Sequence, residues 1–273
     1  MKLGTVLRII AVGAVALGLS VNAVSAQQPK QGKLIEQIKK RGKIQVGMSS
    51  FVPWAMRDKQ GNWVGFEIDV SKKLAADMGV ELNLVPTAWD AIVPSLNASK
   101  FDVIIGGLSI TPERQESVDF TAPYSQSGVG VTASKKLAAN LKWPEDYNRP
   151  DVTFTCKRGI VGCAEIQKQF PKATLREFDD TAIGFQEVIN GNAYASVASE
   201  PAPTFATLDN PEQLFQPTKD YLLISNEGMA LRKGDPESVA FLNAWIAKMN
   251  ESGWLKKRHD YWFRTHDWAS QVP

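Results

Sequence analysis

Hydrophobic positions along this chain fall into short blocks with two different spacings. Ile44 and Val46 flank Gln45, the alternation of a short half-buried strand over residues 44–47. Val70, Leu74, Ala75 and Met78 then recur at three- and four-residue steps, one face of a helix over 69–78. A strand at 81–85 and a helix at 89–97 follow. Next comes the apolar run Phe101, Val103, Ile104 and Ile105, broken only by Asp102, which reads as a buried strand. With a helix at 32–41 leading in, the order predicts a mostly parallel sheet covered by helices. An extended segment at 128–133 leaves this unit. After a polar stretch at 143–150, a second set begins: strand 152–156, helix 164–170, strand 174–177, helix 181–190 and strand 193–197. Residues 221–231 are again extended, residues 62–66 form a turn, and helices at 237–250 and 254–263 finish the chain.

The stretch between Phe101 and Phe120 carries the densest chemistry. Gly106 and Gly107 allow a sharp turn and a close approach to the backbone. Thr111-Pro112-Glu113 has the order of a helix start: hydroxyl, proline, acid. Arg114 falls in that first turn, near the hydroxyls of Ser109 and Thr111. A guanidinium beside free helix N–H groups suits a carboxylate or phosphate, though an ordinary ion pair with a surface acid accounts for the same residues.

The amino terminus reads as a secretory signal peptide over residues 1–26. Lys2 and Arg8 supply the positive end, residues 9–19 the apolar centre, and Val24-Ser25-Ala26 the small residues before cleavage. The apolar run is shorter than the roughly 20 residues of a membrane span, and no cysteine near the cleavage site invites a lipid anchor. An exported, periplasmic protein is therefore expected. Without this segment, 29 basic side chains balance 29 acidic ones, which argues against nucleic-acid or membrane-surface binding. Enzyme chemistry lacks material: the two histidines, His259 and His266, lie in the tail, and no phosphate-binding loop is present. Gly128-Val129-Gly130 lacks a third glycine, and Asp179-Asp180 reads as a helix start. No metal or cofactor is expected.

Gly65-Phe66-Glu67-Ile68-Asp69-Val70, Phe101-Asp102-Val103-Ile104 and Gly107-Leu108-Ser109-Ile110-Thr111-Pro112-Glu113-Arg114 follow one another in order. So do Val118-Asp119-Phe120-Thr121-Ala122-Pro123-Tyr124 and, near the end, Gly253-Trp254-Leu255 with Tyr261-Trp262-Phe263. In these motifs the chain resembles the polar amino acid-binding proteins of ABC importers, solute-binding family 3. The resemblance implies an α/β fold of two lobes, the type II-like periplasmic binding protein fold, with a ligand cleft between lobes joined by two crossover strands, at 124–131 and 223–228. It places lobe 1 at residues 27–127 and 226–273 and lobe 2 at 128–225.

The same resemblance implies a site, one position at a time. Arg114 would grip the ligand's α-carboxylate, while Gly107 and Ser109 would receive its α-ammonium. Phe51 and Trp89 would sandwich the side chain; Trp54, outside the resemblance, reads as core packing with cleft lining as the alternative. The loop Gly159, Ile160, Val161 and Gly162 would close on the carboxylate, and Glu200 would stand where the family has an aspartate for the ammonium. Ile160 departs from the usual hydroxyl there, and Met48 occupies a position that is acidic in several relatives. Tail tryptophans Trp254, Trp262 and Trp268 are read as packing. The implied partners are a small-molecule ligand and an ABC importer membrane permease, with no nucleic acid, and the protein working as a monomer. Two alternatives share the fold: a cyclohexadienyl dehydratase-like enzyme, whose second-lobe asparagines are absent from 157–163, and a ligand sensor subunit.

Cys156 and Cys163 are the chain's two cysteines and flank the glycine loop. Export permits oxidation, so a disulfide is expected, with two buried thiols as the alternative. Lys157 and Arg158 stand beside that loop and would repel a cationic ligand. The ligand expected is an amino acid with an uncharged or acidic side chain, unless Asp90 or Glu165 reaches the pocket or both basic residues point to solvent.

Overall fold

The structure, a computed structural model, describes Met1 and residues 34–272. The signal segment expected at residues 1–26 therefore lies, beyond Met1, outside the described residues, and the helix expected at 32–41 is seen as Leu34–Arg41.

Two sheets organise the chain. The first has the strand order Glu81–Pro86, Lys43–Met48, Val103–Ile104, Ala230–Arg232, Val118–Phe120. Its first three strands are parallel, with Val46 opposite both Leu84 and Val103. Ala230–Arg232 runs antiparallel to both neighbours because the chain re-enters this lobe from the other one. The second sheet runs Leu214–Phe215, Ser125–Ser134, Ala195–Ser199, Thr153–Lys157, Thr174–Phe178. There the last three strands are parallel, and the long strand Ser125–Ser134 is antiparallel. Parallel cores with antiparallel return strands thus replace the mostly parallel sheet expected from the element order. The chain crosses between the lobes along Ser125–Ser134 and returns along Ile224–Glu227. These two segments pair from Ile224 opposite Gly128 to Glu227 opposite Ser125.

Each sheet buries its own core. Val46, Trp54, Phe66, Leu74, Val103, Trp262 and Trp268 belong to the first, and Val131, Tyr147, Phe154, Ile166 and Val197 to the second. Full burial of each such apolar side chain stabilises by roughly 1.5–3 kcal/mol. Ala198, Ala202 and Phe205 from the second lobe join the first cluster, so apolar packing also links the lobes. Trp262 and Trp268 are buried, and Trp254 packs on the same cluster.

The helix expected at 69–78 begins earlier, at Phe66. Tertiary contacts supply the extra turn: the N–H groups of Phe66 and Glu67 donate to the carbonyls of Pro53 and Trp54. Gly65 before it has φ 130°, and a Cβ there would sit 2.3 Å from the Trp54 carbonyl oxygen. A two-stranded hairpin, Met56–Arg57 with Trp63–Val64, occupies part of the region read as a simple turn. The other expected elements are seen within a few residues of their expected bounds, as in Thr181–Ile189 and Trp254–Arg264, while Val118–Phe120, Lys135–Ala138 and Leu214–Phe215 are not among the expected elements.

Candidate functional site

Strands from both sheets end at one place. Lys43–Met48 leads to Ser49 and Phe51, Glu81–Pro86 to Trp89, and Val103–Ile104 to Gly106, Gly107 and Ser109. From the other lobe, Thr153–Lys157 ends at Lys157, just before Ile160 and Val161, and Ala195–Ser199 ends at Ser199. With Arg114, these residues line a single cavity of about 20 Å³. The carboxyl ends of parallel strands are the usual ligand position in open α/β sheets, because the loops leave the sheet there and the helices begin.

Arg114 sits at the start of the helix Pro112–Ser117, where Thr111 Oγ1 accepts the Arg114 N–H at 3.2 Å. Its guanidinium donates to the Ser109 carbonyl at 2.9 Å and, across the cleft, to the Gly159 carbonyl at 3.0 Å. Burial holds its pKa below the usual arginine value, partly offset by Glu113. Leu108 and Ile110 are pinned on the returning strand: Ile110 N–H donates to the Asn226 carbonyl, and Gly228 N–H to that of Leu108. Gly107 between these groups has φ 69°, and a Cβ there would meet the Trp54 ring at 2.8 Å.

A buried acid network lies behind Gly107. Its N–H donates to the Tyr124 hydroxyl (3.3 Å), which donates to Glu67 Oε2 (2.7 Å). Glu227, on the returning strand, accepts from the Ser127 hydroxyl at 2.6 Å. Burial pushes the Glu67 carboxyl well above the ordinary glutamate value, and the neighbouring Glu227 charge adds to it. Burial also raises the pKa of the Glu227 carboxyl and of the Tyr124 hydroxyl. Two carboxylates in one water-poor region cannot both ionise cheaply.

The second-lobe wall is built around Lys157, which is only 3% exposed. Its Nζ donates to Ser49 Oγ at 2.9 Å and to the Ser50 carbonyl at 2.8 Å, both in the other lobe. It stands 6.0 Å from the ring centres of Phe51 and of Trp89. Burial lowers its pKa, against the opposing pull of Asp180 and Asp90. Arg158, one residue on, points outward and lies 3.4 Å from Asp179 and 4.0 Å from Asp90. A disulfide between Cys156 and Cys163 spans the intervening loop. Gly159 has its carbonyl on Arg114, Ile160 and Val161 line the cavity, and the helix Val161–Gln169 starts there. Gly162 packs against Val129 and Val197 and does not line the cavity.

The structure therefore brings together Phe51, Trp89, Gly107, Ser109, Arg114, Lys157, Ile160 and Val161, with Gly159 in contact at the edge. Trp54 is buried behind Gly107 and stacks on Phe51 at 4.4 Å. Glu200 is placed elsewhere. Successive residues leaving a strand face opposite ways, so Ser199 takes the cleft position. Glu200 turns to a separate cavity with Tyr221 and His259. There it accepts from Thr204 N–H and from Gln216 Nε2, both at 3.3 Å. Ser49, Gly106 and Ser199 also line the cleft, although their residue types alone do not mark them as ligand contacts. Their signal is positional: Ser49 and Gly106 each follow a predicted strand, and Ser199 lies just beyond one. Neither Asp90 nor Glu165 lines the cavity.

The profile of the bacterial extracellular solute-binding proteins, family 3, matches residues 44–265. The L-cystine-binding protein TcyJ of Escherichia coli (strain K12) is 29% identical, over 96% of this chain and 98% of that protein. The cyclohexadienyl dehydratase of Pseudomonas aeruginosa is 25% identical, over 90% of this chain and 92% of the enzyme. Among solved structures, a putative binding component of an ABC transporter from Wolinella succinogenes DSM 1740, complexed with lysine, superposes with a TM-score of 0.78. It is 33% identical and covers 84% of this chain and 99% of that one.

Proposed function

The chain belongs to the bacterial extracellular solute-binding proteins, family 3, and on that premise we propose that it captures an amino acid for an ABC importer. The reading makes it an exported periplasmic monomer that binds an L-amino acid or close analogue with an uncharged or acidic side chain. It then hands that ligand to a membrane permease. One observation carries this reading. The half-buried Arg114 guanidinium faces the cleft with, among the described residues, only two backbone carbonyls as hydrogen-bond partners, a setting that a ligand carboxylate would complete in bidentate fashion.

In this reading the lobes divide at residues 127/128 and 225/226 and rotate about the paired crossover strands. Lobe 1 takes the ligand first, through Arg114, Gly107 and Ser109, and closure brings the loop from Gly159 to Val161 onto it. Ligand contacts made only in the closed form set the population shift. The inward Lys157 supports exclusion of cationic side chains, since a second buried ammonium beside it would meet no carboxylate among the described lining residues.

The test is calorimetric titration of the purified protein, stripped of carried-over ligand, with each amino acid and with L-cystine. A neutral or acidic amino acid should bind best, and lysine, arginine and ornithine weakly. Preference for lysine or arginine over every neutral and acidic candidate would overturn the ligand class. Prephenate and arogenate should pass through unchanged; their turnover would favour the enzyme reading instead.

A further inference from the structure

Two basic side chains converge on the cleft, one from each lobe, and among the described residues neither has a carboxylate within ion-pair distance. Arg114 donates only to the Ser109 and Gly159 carbonyls, and Lys157 only to Ser49 Oγ and the Ser50 carbonyl. No aspartate or glutamate lines the cavity, and Glu200 faces away from it. Glu113, Asp90 and Asp180 act on these cations only from outside the lining, so the cavity itself holds two cations and no carboxylate, and a largely buried charge without a close charged partner is costly. A neutral amino acid would settle Arg114 with its carboxylate but bring an ammonium of its own, leaving the local charge unchanged.

We propose that Lys157 is the receptor for a second acidic group, so that the ligand of this cleft is a small compound with two carboxylates. One carboxylate lies on Arg114; the other replaces the Ser49 and Ser50 oxygens at Lys157 Nζ. This deepens the amino acid-binding reading above and rests on its assignment of Arg114, and it narrows the side chain to an acidic one. Position supports it. Lys157 Nζ stands at the aromatic pair Phe51 and Trp89, where the ligand's side chain would lie, and it holds that place with contacts to neutral oxygens that a carboxylate can better. The disulfide one residue before Lys157 fixes the strand end from which its stem reaches across. In this closed arrangement the cavity is about 20 Å³, close to the size of one water, so a ligand would enter as the lobes part and Lys157 Nζ leaves Ser49 and Ser50.

The experiment compares L-glutamate, L-aspartate, 2-oxoglutarate, succinate and L-glutamine, by calorimetry on ligand-stripped protein and on Lys157→Met and Lys157→Arg. Lys157→Met keeps the apolar stem, and its melting temperature reports whether it folds. The wild type should bind one of the dicarboxylates about 100-fold or more tightly than L-glutamine, and Lys157→Met should weaken that dicarboxylate at least about tenfold more than it weakens L-glutamine. Lys157→Arg should restore part of the preference. A wild type that binds L-glutamine as tightly as every dicarboxylate would overturn the proposal while leaving amino acid binding in place. Equal losses for glutamate and glutamine in a folded Lys157→Met would overturn it too. Tight binding of 2-oxoglutarate or succinate with none of any amino acid would uphold the two-carboxylate cleft and sink the amino acid reading.

Discussion

The two walls of the cleft are built differently. On the first lobe, Arg114, Gly107 and Ser109 belong to backbone that is fixed at several points: a helix cap at Thr111, main-chain bonds to Asn226 and Gly228, and the Trp54 ring under Gly107. On the second lobe, the decisive group is a single long side chain, Lys157, whose partners all lie across the cleft. On the proposed reading, a wall of pinned backbone would recognise what every amino acid shares, a carboxylate on a saturated carbon. A wall made of one extended side chain can change its preference with one substitution. The comparison therefore separates generic capture from selectivity, and three experiments probe that separation.

Arg114→Ala should have the largest effect. It removes the charged half of the carboxylate contact, and its loss should cost about 3–5 kcal/mol of binding, whatever the side chain of the ligand. The fold should survive, since this guanidinium bonds only the Ser109 and Gly159 carbonyls. Near-normal affinity in a folded variant, by calorimetry, would place the generic contact elsewhere.

Replacing Cys156 and Cys163 together by serine addresses the second wall. The closed loop spans seven positions in sequence, and chain-entropy reasoning gives a stability loss of about 2 kcal/mol. Denatured, unreduced wild-type protein should show no titratable thiol; two thiols would remove the covalent brace from this wall.

Acidity should act behind the first wall, with the smallest effect on ligand binding itself. Glu67 and Glu227 both have folded-state pKa values raised above the ordinary glutamate value. Their contribution is therefore fully present below about pH 4.3, the unfolded glutamate value, and is lost as pH rises through the folded values. The loss is about 1.4 kcal/mol for every pH unit that separates the folded value from the unfolded one. Glu227→Gln keeps an acceptor for the Ser127 hydroxyl and removes the charge, so it should flatten the decline in melting temperature as pH rises above about 4.3. An unchanged slope would show that Glu227 contributes nothing to this pH dependence.

The same division explains what can be read from the residues alone. The strand, turn and helix start between Phe101 and Arg114 rest on local signals: an apolar run, two glycines, and a capping threonine before proline. All of these act within a few positions, and they suffice to put Arg114 in the right turn. Lys157 is legible as a basic residue near the loop, but its direction is not, because the oxygens that hold it are 107 and 108 positions away. Glu200 shows how narrow the margin is. A one-residue shift at a strand end moves a side chain to the opposite face, and no periodicity in Ser199-Glu200-Pro201 distinguishes the two registers. The hairpin at Met56–Arg57 and Trp63–Val64 has strands of two residues each, too short to show a period. The early start of the helix at Phe66 depends on carbonyls from Pro53 and Trp54, which only the tertiary fold brings there.

At the rim, Arg158 and Asp90 face each other from opposite lobes at 4.0 Å, and both side chains are about half exposed, at 48% and 49%. Such a pair contributes about 1 kcal/mol or less. It is also open to mobile ions, whose screening distance shrinks from about 8 Å at physiological ionic strength to about 3 Å at 1 M. Lys157, buried in the cleft, is shielded from that atmosphere. Added salt should thus loosen the edge of the closed cleft and alter how often the lobes meet, while the ranking of ligands, if Lys157 sets it as proposed, stays the same.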